Sequence, residues 1–480
     1  MRLEELYIQN PWWEDPGAID DDRHVIRFRS SSFKWEPPVM KSITLHAEGI
    51  NTLRGPRQIG KSTVMKLLIE KLINTDSISP QRIAYLTLDN VASRAELVDI
   101  LSGYINLRRR TFPDDLLYIF LDEITMVEQW QYALKYLMDT GVLENVFVML
   151  TGSSAHDLVA SERMPGRRGE GRDFSITAAT FRQFVEVQGK SGIPSYELDD
   201  YPDLTEGDLE DIKWSVARLG DELSIYTLSG GFPQVVDEII KTSKISETTR
   251  LTYRDVFLGE IERLGKRRST LTHLTKQLSK TIGQRFSWQS LNKEVREIES
   301  VQTVISYVET LALNFMIGIV YYLDPNKREI HPRKQKKVFA SDLIILNTIE
   351  DISGRRVPAG SKIENIVYMN LLSAHNTFSG LIHNEGPYFW YSTSGNEIDF
   401  LAGKSLTPIE VKYQNSIMPS DYLTMKRVFG RGILASKSCY RKDGKITVLP
   451  LEAFLATLGE DAGFRDKTSQ YSPGTGLCQY

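Results

Sequence analysis

Two stretches of this chain, Leu116–Leu121 and Val146–Leu150, are apolar from end to end. Runs of that length suit central parallel strands, which are buried on both faces and so lose the in/out alternation of a half-exposed strand. Arg82–Asp89 has the same character and ends on polar residues, and Ile50-Asn51-Thr52-Leu53 is a shorter candidate. Helical patterns lie between them. Val64, Leu67, Leu68 and Leu72 make one stripe, and Ala95–Ile105 makes another segment. Strands alternating with helices predict an α/β domain built on a parallel sheet.

The pattern changes further along. Residues 190–215 are acidic and loop-like with several prolines. Helical runs follow over about 270–281 and 287–297, and Ser300 stands where it caps a third, Val301–Asn314. Met316–Leu323 then reads as a strand, Asp324-Pro325-Asn326 as a turn and Lys337–Ala340 as a return strand. The last region shows a helix opening at Lys362–Tyr368 and strands at Phe389–Tyr391, Glu397–Leu401 and Pro408–Tyr413. The expected layout is an N-terminal arm over 1–49 and a parallel-sheet core over 50–190. A helical lid over 191–268, a winged helix over 269–350 and a smaller α/β domain over 351–462 follow, with a polar tail over 463–480.

In the arm, Trp12 and Trp13 are adjacent and costly to leave in water, so the arm is expected to pack back onto the core. Lining an adenine pocket is the alternative. Ser42–Leu45 and the Ile50 strand are expected to pair as a hairpin around Glu48-Gly49.

The candidate chemistry sits at the strand ends. Gly55-Pro56-Arg57-Gln58-Ile59-Gly60-Lys61-Ser62-Thr63 fits G-x-x-x-x-G-K-[ST], with a strand before it and a helix after it. In such a loop backbone N–H groups point inward at phosphates, and the helix N-terminus adds its field. Lys61 is then the side chain for the β- and γ-phosphates of ATP, and the Ser62 hydroxyl is a ligand for Mg²⁺. The run Leu116–Leu121 delivers Asp122 and Glu123 at its C-terminal end, where ligands bind in open α/β sheets. Asp122 would hold Mg²⁺ through water and Glu123 would polarise the attacking water. The plainer alternative is two acids capping the next helix. Thr151-Gly152-Ser153-Ser154 ends the run Val146–Leu150, so a polar side chain there would lie between the two strands that carry these motifs.

Asp399 and Glu410-x-Lys412 have the spacing of a PD-(D/E)xK nuclease site. Residues at i and i+2 on a strand face the same way, so Glu410 and Lys412 share a face. Asp399 and Glu410 would bind Mg²⁺, Lys412 would orient water, and Glu364 would add a carboxylate from a helix. A hairpin with ordinary cross-strand ion pairs is the alternative.

Order and spacing together resemble a known family. Leu121-Asp122-Glu123-Ile124, Trp130, Leu134-Lys135-Tyr136-Leu137 and Thr151-Gly152-Ser153-Ser154 are followed by Pro165-Gly166-Arg167-Arg168-Gly169, Thr180-Phe181-Arg182-Gln183-Phe184 and Gly230-Gly231-Phe232-Pro233. They look like the archaeal and bacterial AAA-type ATP-binding proteins whose C-terminal domain of unknown function is similar to restriction-type nucleases. The resemblance covers about residues 10–460. It implies an AAA+ P-loop NTPase domain with a helical lid, a winged helix and a C-terminal restriction-endonuclease-like α/β domain. It also implies a first sensor at the end of the Val146 strand, with Ser153 as the candidate. Arginine fingers come from the region of Arg167 and Arg168, acting on a neighbouring copy in a homo-oligomer. A flexible surface loop is the other reading of those arginines. Gln234 follows the lid motif with no arginine near it, a departure that puts a lid sensor in doubt.

Composition narrows the partners. The net charge of −4 favours neither a nucleic-acid binder nor a membrane-surface protein, so any DNA site must be a local patch. The expected wing offers one in Lys327, Arg328, Arg333, Lys334, Lys336 and Lys337; a solvated tip or protein-docking surface is the alternative. The two cysteines, Cys439 and Cys478, suit a reducing cytoplasm, and no signal peptide or membrane span is visible. The function expected is an Mg²⁺-dependent ATPase coupled to DNA binding or processing. The alternative is a signalling-type nucleotide switch whose C-terminal domain only binds a partner.

Overall fold

The computed structural model describes residues 3–152, 171–295, 300–374 and 386–459. The apolar runs form a five-stranded sheet from β1 (Gly49–Arg54), β2 (Ile83–Thr87), β3 (Leu117–Asp122), β4 (Val146–Gly152) and β5 (Asp173–Ser175). Its order is β2-β3-β4-β1-β5, and every pairing is parallel. β4 therefore lies between β1 and β3, and the ends at Arg54, Asp122 and Gly152 come out on the same edge. All residues of β1, β3 and β4 are buried, as continuous apolar patterning requires.

The expected hairpin at Ser42–Leu45 does not form. Val39–Ser42 is helical, and both edges of β1 are occupied by β4 and β5. The arm instead caps the open edge of the sheet with side chains. Thr87 N donates to Gln9 Oε1 at 2.8 Å, and Tyr85 N donates to Asn10 Oδ1 at 2.6 Å. Asn10 Nδ2 donates to Tyr85 O at 3.0 Å, and Trp12 and Trp13 Nε1 both donate to Ile83 O. Five side-chain bonds thus stand in for a missing neighbour strand along β2, which would otherwise present unpaired backbone groups. Trp12 and Trp13 are buried in this seam, at the end of β2 away from Asp122.

Residues 191–216 are not a loose lid. Tyr196 pairs with Leu458, the Tyr201 hydroxyl bonds Thr457 Oγ1 at 2.8 Å, and a helix runs Glu206–Val216. Arg182 Nη1 of the ATPase core donates to Ala456 O at 2.9 Å. This belt ties the core to the C-terminal body. Helices Gly220–Ser229, Pro233–Thr242 and Glu247–Arg263 follow, in the region where a lid is expected.

Helices Arg268–Thr281, Trp288–Glu294 and Val301–Leu313 precede strands β6 (Ile317–Tyr321), β7 (Leu323–Asp324), β8 (Glu329–Ile330) and β9 (Lys336–Ala340). β6 pairs antiparallel with β9, and β7 with β8. After helix Ala359–Ala374 come β10 (Tyr388–Tyr391), β11 (Glu397–Ala402), β12 (Thr407–Lys412), β13 (Gly432–Ser436), β14 (Arg441–Asp443) and β15 (Ile446–Pro450). They form one sheet of order β10-β11-β12-β13-β15-β14, antiparallel up to β12 and parallel from β12 through β13 to β15. Among the described residues, no helix is long and apolar enough to cross a membrane.

The Gly230-Gly231 turn lies between these parts. Gly231 N donates to Asp342 Oδ2 at 2.8 Å, and Ala179 N donates to Gly231 O at 3.0 Å. A Cβ on Gly231 would come within 2.1 Å of Ala179 O, and one on Gly230 (φ +67°) within 2.3 Å of Asp342 Oδ1. The two glycines let the turn after helix Gly220–Ser229 approach Ala179 and Asp342 at contact distance. Asp342 is fully buried, and burial pushes its carboxyl up to about 7.

Candidate functional site

The loop Gly55–Thr63 leaves β1 and enters helix Lys61–Asn74. Gly55 approaches Ile176 O so closely that a Cβ would lie 2.6 Å away, and Gln58 (φ +66°) and Gly60 (φ +105°) are left-handed. Pro56 and Ile59 are buried, which anchors the loop, while Ser62 and Thr63 at the helix start are half-buried. Lys61 is buried, and its Nζ donates to Gly55 O at 2.9 Å and Pro56 O at 3.0 Å. Burial lowers its pKa, and the charges of Glu123 and Asp122 offset part of that shift.

Asp122 ends β3 beside this loop. One carboxylate oxygen accepts from the Tyr85 hydroxyl at 2.7 Å, and the other from Thr151 Oγ1. Thr151 Oγ1 in turn accepts from Glu123 N at 3.1 Å. Thr151 therefore fixes both acids of the pair from the middle strand. Glu123 is left-handed (φ +55°), and its Oε2 is buried without a hydrogen-bond partner. An orphaned carboxylate oxygen beside a phosphate-type loop fits a water-polarising role. Asp122 and Ser62 fit Mg²⁺, because Asp122 is oriented by two donors and retains lone pairs for an aqua ligand.

Three further residues feed this site. Lys66 on the loop helix is buried, pairs with Asp22 of the arm at 3.1 Å and lies 3.6 Å from the centre of the Tyr85 ring. Asp22–Lys66–Tyr85–Asp122 is thus a continuous polar chain from the arm to the strand end. From helix Glu247–Arg263, Glu260 is 3 % exposed and pairs with Arg57 of the loop at 2.5 Å. Position 66 carried a sequence signal, a lysine among apolar neighbours; Glu260 carried none. Thr151 is the first polar residue after an apolar run, in the segment whose expected sensor is Ser153. Ser153, Arg167 and Arg168 lie outside the described residues.

The C-terminal acids do gather. The β11–β12 register ends at Phe400 opposite Ile409, and Asp399 and Glu410 are the next residues along the two strands. Val411 N donates to Asp399 Oδ2 at 2.9 Å, and Lys412 Nζ pairs with Glu410 Oε1 at 2.9 Å. Burial and the charge of Asp399 push Glu410 up to about 8 and Glu364 up to about 7. Among the described residues, no three His, Cys, Asp or Glu side chains are placed to hold one ion, and one oxygen each of Glu410 and Glu364 is buried without a hydrogen-bond partner.

The expected basic wing is corrected by burial. Lys336 and Lys337 are each 1 % exposed, because both lie on β9 inside the body. Lys336 lies 4.6 Å from the Trp288 ring centre, and burial lowers it to about 8. Lys337 is held among Glu364, Glu397 and Asp399. Lys334 lies over Tyr322, and Arg328 donates to Lys404 O. Lys327, Arg328, Arg333 and Lys334 are exposed.

The parallel sheet, its loop and the acid pair have the arrangement of a P-loop nucleotide-binding domain. Residues 47–185 match the AAA_14 family, described as an AAA domain. Residues 220–356 and 359–454 match two domains of unknown function, DUF8612 and DUF4143. No curated protein matches the chain. Among solved structures, the RuvB Holliday junction branch migration motor of Thermotoga maritima is 13% identical, with 60% of this chain and 84% of that chain covered and a TM-score of 0.29. Cdc6p from Pyrobaculum aerophilum is 12% identical over 63% and 88%, with a TM-score of 0.23. A signal transduction ATPase with a tetratricopeptide repeat sensor from Pyrococcus horikoshii is 10% identical over 71% and 44%, with a TM-score of 0.24. At scores this low the likeness does not bear on function.

Proposed function

We propose that this chain is an Mg²⁺-dependent ATPase that works as a nucleotide switch, its lid passing the state of the phosphate loop to the C-terminal body. The observation that carries this reading is the Arg57–Glu260 pair. A buried lid carboxylate holds the one loop arginine that a triphosphate would attract. Lys61 and the loop amides from Gly55 to Thr63 would hold the phosphates, Ser62 and Asp122 would hold Mg²⁺, and Glu123 would position water. Bound Mg²⁺ would supply charge neutralisation between the phosphates. A γ-phosphate near Arg57 competes with Glu260 for the same guanidinium, so ATP and ADP would differ in how firmly the lid is held. The lid is in turn fixed to the C-terminal body at Gly231–Asp342 and by the Arg250–Asp351 ion pair.

Coupling to DNA has less support. Burial removes Lys336 and Lys337 from the basic patch, leaving Lys327, Arg328, Arg333 and Lys334 as exposed candidates. The deciding experiment follows turnover and ADP release with and without single-stranded, duplex and branched DNA. Slow turnover with long-lived ADP and no DNA response is the expected result. Turnover that rises several-fold with DNA would overturn the switch reading in favour of DNA processing.

A further inference from the structure

β11 and β12 bring like charges together. Asp399 and Glu410 follow the last paired residues of the two strands, Glu397 lies two residues from Asp399 on the same face, and Glu364 approaches from helix Ala359–Ala374. Directly opposed acids destabilise a sheet unless a cation lies among them or one carboxyl keeps its proton, the direction in which burial and Asp399 push Glu410. In metal-dependent sites of this spacing the cation is a divalent ion. Here Lys337 takes that place for Glu397, Asp399 and Glu364, whereas Glu410 pairs with Lys412 and keeps one buried oxygen without a hydrogen-bond partner. Lys337 Nζ lies 2.5 Å from Glu397 Oε1, 3.3 Å from Asp399 Oδ1 and 3.6 Å from Glu364 Oε2. Its side chain is 1 % exposed, and it comes from β9 of the preceding hairpin, outside the sheet that carries the acids. Asp399 has its other oxygen occupied by Val411 N, and Arg285 holds the second oxygen of Glu397 at 2.9 Å.

We propose that the ammonium of Lys337 is the resident cation of this acidic site, so that the C-terminal body holds its carboxylates together without a divalent metal and is not a metal-dependent nuclease in this arrangement. An ammonium and a hydrated divalent ion cannot share the space between Glu397 and Asp399, because each needs the same oxygens at contact distance. The inference stands apart from the ATPase reading, since none of these residues touches the phosphate loop.

Mn²⁺ binding to the nucleotide-free full chain tests it, read from the loss of the free-ion electron paramagnetic resonance signal. The unmodified protein is expected to show no Mn²⁺ site that depends on Asp399. Lys337→Met is expected to gain one, at least ~10-fold tighter than any binding it replaces (a difference of about 1.4 kcal/mol), and to gain thermal stability on adding Mn²⁺. Lys337→Met with Asp399→Asn is expected to lose both. Lys337→Met leaves acids uncompensated, so Lys337→Met with Glu397→Gln is a second variant with one charge fewer. An Asp399-dependent Mn²⁺ site in the unmodified protein, as tight as in either variant, would overturn the proposal. So would a folded Lys337 variant that gains no site.

Discussion

Glu410→Gln isolates the electrostatic state of the C-terminal site. Glu410 is 7 % exposed, and burial and the charge of Asp399 push its carboxyl up to about 8 from an ordinary 4.5. Lys412 opposes that shift but does not cancel it. The folded protein therefore holds a proton that the unfolded chain releases near 4.5. Stability from this group is complete below that value and is lost as pH rises through about 8. At about 1.36 kcal/mol per unit, a rise of this size corresponds to a loss of roughly 3–5 kcal/mol. Glutamine keeps an oxygen for Lys412 but cannot ionise. The variant should match the parent at pH 5 and exceed it by that amount at pH 8.5. Amide hydrogen exchange of β11 and β12 between those pH values reads the local stability without assuming that the whole chain unfolds in one step. A variant less stable than the parent at pH 8.5 would mean that Glu410 is ionised in a favourable pair with Lys412, and the reasoning would fail.

Three more predictions concern the ATPase body. Lys61→Ala should lose ATP binding, whereas Glu123→Gln should bind ATP and turn over at least ~10²-fold more slowly; parental turnover in the second would remove Glu123 from its role. Thr151→Val deletes the hydroxyl that orients both acids, so turnover should fall about 10-fold with ATP affinity nearly unchanged, since a tenfold change corresponds to roughly one hydrogen bond. Gly231→Ala places a methyl against Ala179 O and should lower stability by about 1–3 kcal/mol or prevent folding; a thermal melt at the parental temperature would contradict the close approach.

The parallel sheet was legible because buried strands need unbroken apolar runs, and the acids at their ends follow from where β3 stops. The phosphate loop was legible because its glycines answer to backbone geometry, as the left-handed Gly60 shows. The hairpin at Ser42–Leu45 was misread because local alternation cannot reveal that β4 and β5 already occupy both edges of β1. The belt at 191–216 was misread because its acidic, proline-bearing composition hides Tyr196 and Tyr201, which anchor it on Thr457 and Leu458. The wing was misread for a different reason. Lys336 and Lys337 look solvated by type, and only the fold shows acids from Glu364, Glu397 and Asp399 drawing Lys337 inward. Charges compensated from distant sequence, like Arg57 by Glu260, leave no local pattern.

In the proposed switch, nucleotide state reaches the lid through the Arg57–Glu260 pair. Hydrogen exchange of helix Glu247–Arg263 tests it most directly, measured in Glu123→Gln protein with ADP and with ATP. The helix amides should exchange several-fold faster with ATP than with ADP, and Arg57→Ala should abolish the difference. Equal exchange in the two nucleotide states, with ATP binding verified, would contradict the account.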